Sequence, residues 1–449
     1  MFSDPKSRPA LLVGCLTVLS LTVAISVLAI TTAPTQQSPP ATTASTDPAI
    51  ASLHERGYNG SNVTVGVVDV TGFDTDHPAL NGQVAATRTF GSNNGDVTHG
   101  TASAAVVAHV APDADLYLAS FDDVAGYRAA IAWLVEEDVD VIVAPVSFFG
   151  RAGDGSSPAS RAAMSAVRKD TVFVAPAGNV ARGHWSGRYD RTRNELLHFE
   201  GGTRNFLQGD TRSVRVWLSW DKSRDGDNDA TRGATRITDD TESGGRYVLE
   251  LYRTDGRQTE LVARSSPVEG VSRTQRLVTR VDPGQHFLVV RGPSEATGDR
   301  LTIVSPTTHL QYGDSKGSVV APATARGVIS VGAYDRNARR IEPFSARGPT
   351  EDGRLGIDIV APDRMSAIRT GESFVGTSAA APYAAGVAAL VLDAHPELSP
   401  RAVEALLETT ATDVGPDGVD HAGGHGLIAP VRAVSTATNE SSNTRLSYR

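Results

Sequence analysis

Cysteine is nearly missing. The single one in 449 residues is Cys15, inside an apolar N-terminal run, so the folded part can contain neither a disulfide nor a thiolate site. Lysine is almost as scarce: it occurs at Lys6, Lys169, Lys222 and Lys316, and arginine supplies the rest of the positive charge. With a formal charge of -9 and no basic stretch, the chain lacks the footprint of a nucleic-acid binder, and no nucleic-acid partner is expected. An acidic, lysine-poor surface suits a salty environment, although a GC-rich genome leaves the same arginine bias. Hydrophobic residues make up 40% of the chain, enough for a sizeable core and more than one domain.

Lys6 and Arg8 precede an apolar run from Ala10 to Ile30, which is long enough to cross a bilayer of roughly 20 helical residues. Residues 1–33 therefore read as a membrane anchor or signal segment, with Val27-Leu28-Ala29 as the best cleavage site. Basic residues before the run place the remainder outside the cell. Residues 34–47, rich in Thr, Pro and Ser, read as a disordered linker. A polar tail is expected over 437–449.

From Pro48 the pattern alternates. Val63 to Val68 is a buried strand ending at Asp69, and Thr98 to Val107 is a small-residue helix, capped by Thr98, with His99 in its first turn. The positive end of that helix disfavours imidazolium and should keep the ring neutral. Strands at Asp115–Ala119, Val139–Val146 and Thr171–Ala175 alternate with helices at Gly126–Glu136 and after Ser157-Pro158. Such alternation implies a doubly wound parallel sheet with helices on both faces, an α/β fold. Pro176-Ala177-Gly178-Asn179 then sets an amide just past a strand's carboxyl end, where open α/β sheets carry their sites.

From His198 the character changes to alternating strands with no helical period, at Ser213–Trp220, Tyr247–Tyr252, Gln275–Val281, His286–Val290 and Leu301–Val304. This predicts an antiparallel β-sandwich over 198–310, inserted between α/β segments at 48–197 and 311–436. Asp225, Asp227 and Asp229 alternate in one of its loops and are weak candidates for structural calcium, although Ala230 stands where an EF-hand loop needs glycine. A solvated acidic turn explains them better. The α/β pattern resumes at Gly327 and reaches Gly376-Thr377-Ser378-Ala379-Ala380-Ala381-Pro382. There a serine opens an apolar helix without a polar face, where backbone N–H groups and the macrodipole converge.

Asp69, His99, Asn179 and Ser378 each sit where a sheet meets its loops. Val67-Val68-Asp69, His99-Gly100-Thr101, Ala177-Gly178-Asn179, Phe344 to Pro349 and Gly376 to Pro382 occur in the order found in subtilisin-like serine peptidases, and the sequence resembles that family, in a haloarchaeal-type form. The resemblance implies that Ser378 attacks a peptide carbonyl, His99 takes and returns its proton, and Asp69 orients the imidazole. It further implies that the Asn179 amide and the Ser378 N–H hold the oxyanion, and that Ser147, Phe148, Phe149 and Gly178 line the substrate. No cofactor or metal is required for that chemistry. No Gly-x-Ser-x-Gly surrounds Ser378, which argues against a lipase-like hydrolase.

Some residues depart from the family pattern. Asp69-Val70-Thr71-Gly72 has one residue more than the usual Asp-Ser/Thr-Gly, which makes Asp74 a rival. Phe149 stands where glycine is usual, and the short stretch after Pro48 leaves no room for a propeptide domain. The expectation is a serine endopeptidase acting on proteins or peptides outside the membrane. The alternative is a catalytically silent surface binding protein on the same fold.

Overall fold

The computed structural model describes residues 47–436 apart from 81, 93–94, 191, 210–211, 222–245 and 366–373. The expected anchor, the linker through residue 46, the tail, and Asp225, Asp227 and Asp229 lie outside the described residues; Asp47, expected to end the linker, is instead buried and belongs to the folded domain.

The first helix, α1 (Pro48–Glu55), starts on the Asp47 side chain, which accepts from Ala49 N at 3.0 Å. The same carboxylate accepts from the Tyr383 hydroxyl and pairs with Arg336, which ties the start of the domain to its central helix. The parallel strands β1 (Thr64–Asp69), β2 (Val84–Phe90), β3 (Asp115–Phe121), β4 (Val141–Val143) and β5 (Val172–Pro176) follow. They are joined by Ile329–Asp335, Ile359–Pro362 and the short antiparallel Arg340–Ile341 in one sheet. Strand β1 lies between β3 and β4, so the winding reverses direction at its carboxyl end, the place where such sheets open a crevice.

Alternation along β1 divides the core. Val65 and Val67 pack with helices α2 (Thr98–Val110) and α5 (Thr377–Ala394), whereas Val68 packs on the opposite face with α3 (Val124–Glu136) and α4 (Pro158–Val167). Small residues let α2 and α5 approach closely: a Cβ on Gly386 would stand 2.6 Å from Val110 Cβ. Helix α5 is long and apolar enough to cross a membrane, yet it is mostly buried within the fold. Helix α6 (Pro400–Thr410) is capped by the Ser399 side chain, as its Ser-Pro start implied.

Two expectations about helix starts change. Thr98 is the first helical residue of α2, not its cap; Val97 takes the cap position, and Asp96 Oδ1 receives the Thr98 N–H at 2.9 Å. Ser378 is the second residue of α5, and Gly376 is the cap.

The sandwich begins earlier than 198. His184–Arg188 is already an edge strand beside Arg300–Val304, in a five-stranded sheet with Ser213–Asp221, Thr274–Arg280 and Ser266–Pro267. The second sheet contains Val248–Thr254, Gln285–Arg291 and Thr259–Arg264, and extends through the short Leu196–Leu197. Val214, Val216 and Leu218 from one sheet meet Leu249, Leu251, Leu288 and Val290 from the other in a core separate from those of the α/β domain. The mixed His184–Arg188 and two-residue strands such as Thr192–Arg193 carry no readable strand period.

Candidate active site

Strand β1 delivers Asp69 to the sheet's carboxyl edge with its side chain fully buried, and His99 Nδ1 lies 2.6 Å from its Oδ2. The other oxygen, Oδ1, accepts from Thr71 N at 2.9 Å and from the Thr71 hydroxyl at 3.0 Å. The extra residue in this turn is extruded: Val70 is 49% exposed, and Thr71 thereby recovers the position next to the carboxylate. Thr71 Oγ1 also accepts from Gly100 N at 2.7 Å, joining the aspartate turn to the helix that carries His99. Only glycine fits at 100, because a Cβ there would stand 2.5 Å from the Gly72 carbonyl oxygen. Asp74 is not a rival. Its N–H donates to Thr101 Oγ1 and its Oδ1 accepts from Asp76 N, away from the imidazole.

Burial opposes charging His99, but the hydrogen bond and charge of Asp69, helped by Asp96, outweigh it and raise the pKa above 6.5. The carboxylates therefore reverse the effect expected from the helix N-terminus. With a proton on Nδ1 facing Asp69, the neutral ring presents Nε2 as an acceptor. Phe374 stands edge-on to the ring, with centroids 5.3 Å apart.

On the opposite side, Asn179 Oδ1 accepts from both the N–H and the hydroxyl of Thr377 at 2.9 Å. Gly376 has φ 131°, and a Cβ there would stand 2.7 Å from Asn179 Nδ2. Glycine is thus required for the amide to lie against the turn that carries the serine. Gly178, with φ 110°, likewise admits no Cβ, which would fall 2.8 Å from Val320 Cγ2. The Ser378 hydroxyl itself donates to the Pro145 carbonyl oxygen at 3.3 Å.

The structure therefore joins Asp69 to His99, and Asn179 to the Ser378 turn, while the serine hydroxyl is turned to the loop leaving β4. In that loop the contact is made by the Pro145 carbonyl, two residues before Ser147, the first of the residues expected to line the substrate. Phe148 packs against Phe121 and Tyr127 and bridges to Ala321, and Phe149 packs against Trp217 of the sandwich. Thr71 and Pro145 were not singled out by the sequence; a threonine two residues after a strand-end aspartate was the available signal for the first.

Among the described residues, one acidic group has ligand atoms close enough together to hold a metal ion: Asp358, Glu404 and Glu408, whose oxygens lie within 4.8 Å of one another. Burial pushes the Asp358 carboxyl up to about 7, with Glu404 and Glu408 adding to the effect. This cluster lies at α6 and shares no residue with the site above.

A Subtilase family model matches residues 60–208 and 284–426, leaving out the middle of the sandwich. Serine protease AprX of Bacillus subtilis is 30% identical over 153 residues, covering 29% of this chain and 34% of that protein. The halolysin-like extracellular serine protease Nep of Natrialba magadii is 37% identical over 127 residues, covering 27% of this chain and 22% of its own length. The chain thus spans about a third or less of these relatives. The solved CspB protease of Clostridium perfringens superposes with a TM-score of 0.60 at 17% identity, covering 88% of this chain and 99% of that one, which shows a shared fold.

Proposed function

Because the chain belongs to the Subtilase family, we propose that it is a serine endopeptidase that hydrolyses peptide bonds of proteins through an acyl-enzyme on Ser378. Ser378 Oγ attacks the carbonyl carbon as its proton passes to His99 Nε2; collapse of the tetrahedral intermediate returns that proton to the leaving amine. Water then repeats the sequence to release the acid. Asp69 holds the ring in the tautomer that leaves Nε2 free and stabilises the imidazolium. The Asn179 Nδ2 and the Ser378 N–H at the start of α5 supply the oxyanion donors. The observation that carries this reading is the 2.6 Å contact between His99 Nδ1 and the buried Asp69 Oδ2.

The serine hydroxyl must exchange the Pro145 carbonyl for His99 Nε2 before it can act. Catalytic hydrogen bonds without substrate are often unformed and tighten when it binds. The apolar N-terminal run and the extracellular halolysin-like relative support action outside the cell, with the chain tethered at the membrane or released by cleavage. Labelling of the full chain by a fluorophosphonate, compared with Ser378→Ala, tests the chemistry: the parent should be labelled and the variant should not. Equal labelling of both defeats the proposal. The engagement of Ser378 with Pro145 favours one other reading, a catalytically silent surface binding protein, and an unlabelled parent that still binds polypeptide would establish it.

A further inference from the structure

A cavity of about 190 Å³ lies between the loop leaving β4 and the sandwich, and the chemistry above does not use it. One wall is Phe149, whose ring centroid is 5.1 Å from that of Trp217. The joint is fixed: the Gly150 carbonyl accepts from the Thr274 hydroxyl at 3.1 Å. Gly150 has φ 64°, and a Cβ on it would lie 2.7 Å from Thr274 Cγ2 and 2.9 Å from Trp217 Cδ1. Two guanidinium side chains, Arg151 and Arg276, also line the cavity. Among the described residues, neither is paired with a carboxylate. Burial opposes the charge on Arg151, and no acidic neighbour offsets it.

Two forked cations beside an aromatic wall fit a carboxylate on a short apolar stem. The same loop begins at Pro145, whose carbonyl oxygen receives the Ser378 hydroxyl. From there to Gly150 an extended backbone reaches no more than about 17 Å, the span of about five residues of extended peptide. A net charge of -9 disfavours a polyanion such as a nucleic acid and leaves a single acidic side chain as the better occupant.

We propose that Arg151, Arg276, Phe149 and Trp217 form a subsite shared by the sandwich and the α/β domain, which takes an Asp or Glu side chain of a bound polypeptide within about five residues of the bond cleaved at Ser378. This rests on the peptidase reading and names the substrate class it selects. The sandwich then acts as part of the specificity apparatus.

The test uses the full chain and a set of quenched peptides that share one cleavable bond and carry Glu or Gln at one position at a time, on either side of it. The expected result is a kcat/KM ratio for Glu over Gln of about 10 or more at one position, falling as salt is raised. In the double variant Arg151→Gln and Arg276→Gln that ratio should drop to about one. Arg276→Glu alone, at an exposed strand position, should shift preference toward Lys and guards against misfolding of the double variant. Cleavage of all peptides with no Glu preference anywhere, or a preference unmoved by these substitutions, overturns the subsite and leaves the peptidase reading standing. No cleavage of any peptide beyond that by Ser378→Ala fails the peptidase reading itself; the Ser378→Ala protein should nonetheless bind the favoured Glu peptide at least about fivefold more tightly than its Gln twin, and equal binding overturns the subsite.

Discussion

Thr71 gives Asp69 Oδ1 two hydrogen bonds and leaves Oδ2 to His99. Its hydroxyl is at the same time the acceptor for Gly100 N, so one small side chain sets the separation between the aspartate turn and the histidine helix.

Thr71→Val keeps the shape and removes that hydroxyl. It leaves Gly100 N without its acceptor and should cost about 1–3 kcal/mol of stability, together with at least a tenfold fall in the fluorophosphonate labelling rate. Val70→Ala, on the extruded residue, should leave both within error. Thermal melts and labelling time courses on the two variants check this.

Activity should fall as pH drops through a His99 pKa above 6.5, because the neutral ring is the proton acceptor and Asp69 favours the charged form. Asp69→Asn removes the first two stabilising causes. Its acid limb should move to lower pH, and its turnover should fall by about 10⁴ as the wrong tautomer forms. A pH profile of kcat/KM for parent and variant measures both.

Asn179 accepts from Thr377 and, in the proposed mechanism, donates toward the reacting oxygen. Asn179→Asp keeps the acceptor and removes the donor. Its melting temperature should stay within a few degrees of the parent, whereas kcat should fall by about 10²–10³ with little change in KM.

Asp363 is fully buried, with neither carboxylate oxygen hydrogen-bonded, and its pKa is raised to about 6 by burial and by Glu342. A raised carboxyl pKa means that the associated stability is fully present below the unfolded value near 4 and is lost as pH rises through about 6. Asp363→Asn should therefore stabilise the protein at pH 7 and above by up to about 3 kcal/mol, and the gain should vanish near pH 4. Denaturant unfolding at the two pH values decides it.

Gly386→Ala would place a methyl group against Val110 at the α2 to α5 crossing. A loss of about 1–3 kcal/mol in unfolding free energy is expected, and the fraction that folds should keep its labelling rate only if the two helices can separate without displacing His99 from Ser378.

Much of this was readable in the chain because chemistry restricts residue type. A strand-end Asp69, a helix-start His99, a post-strand Asn179 and Ser378 before a run of small residues each stand out against an apolar background. The parallel core was readable for the same reason: β1, β4 and β5 are buried on both faces and read as continuous apolar runs. Strand β2, half exposed and mixed in character, gave no such signal, and neither did Thr259–Arg264 at the sandwich edge. The engagement of the Ser378 hydroxyl with the Pro145 carbonyl was also hidden, because a backbone acceptor leaves no mark on residue type. The extrusion of Val70 could not be foreseen either, since a one-residue insertion can be absorbed before or after the aspartate.

The tie between Asp47 and Tyr383 has a mechanical consequence. A pull applied to the chain from its N-terminal side enters the folded body at Asp47 and passes through the Tyr383 hydroxyl into α5, the helix whose first turn carries Ser378. Through Arg336 the same carboxylate passes load to the end of strand Ile329–Asp335, so tension would reach α5 and the sheet together, and a chain held under load at its N-terminus should cleave at a different rate from one that floats free.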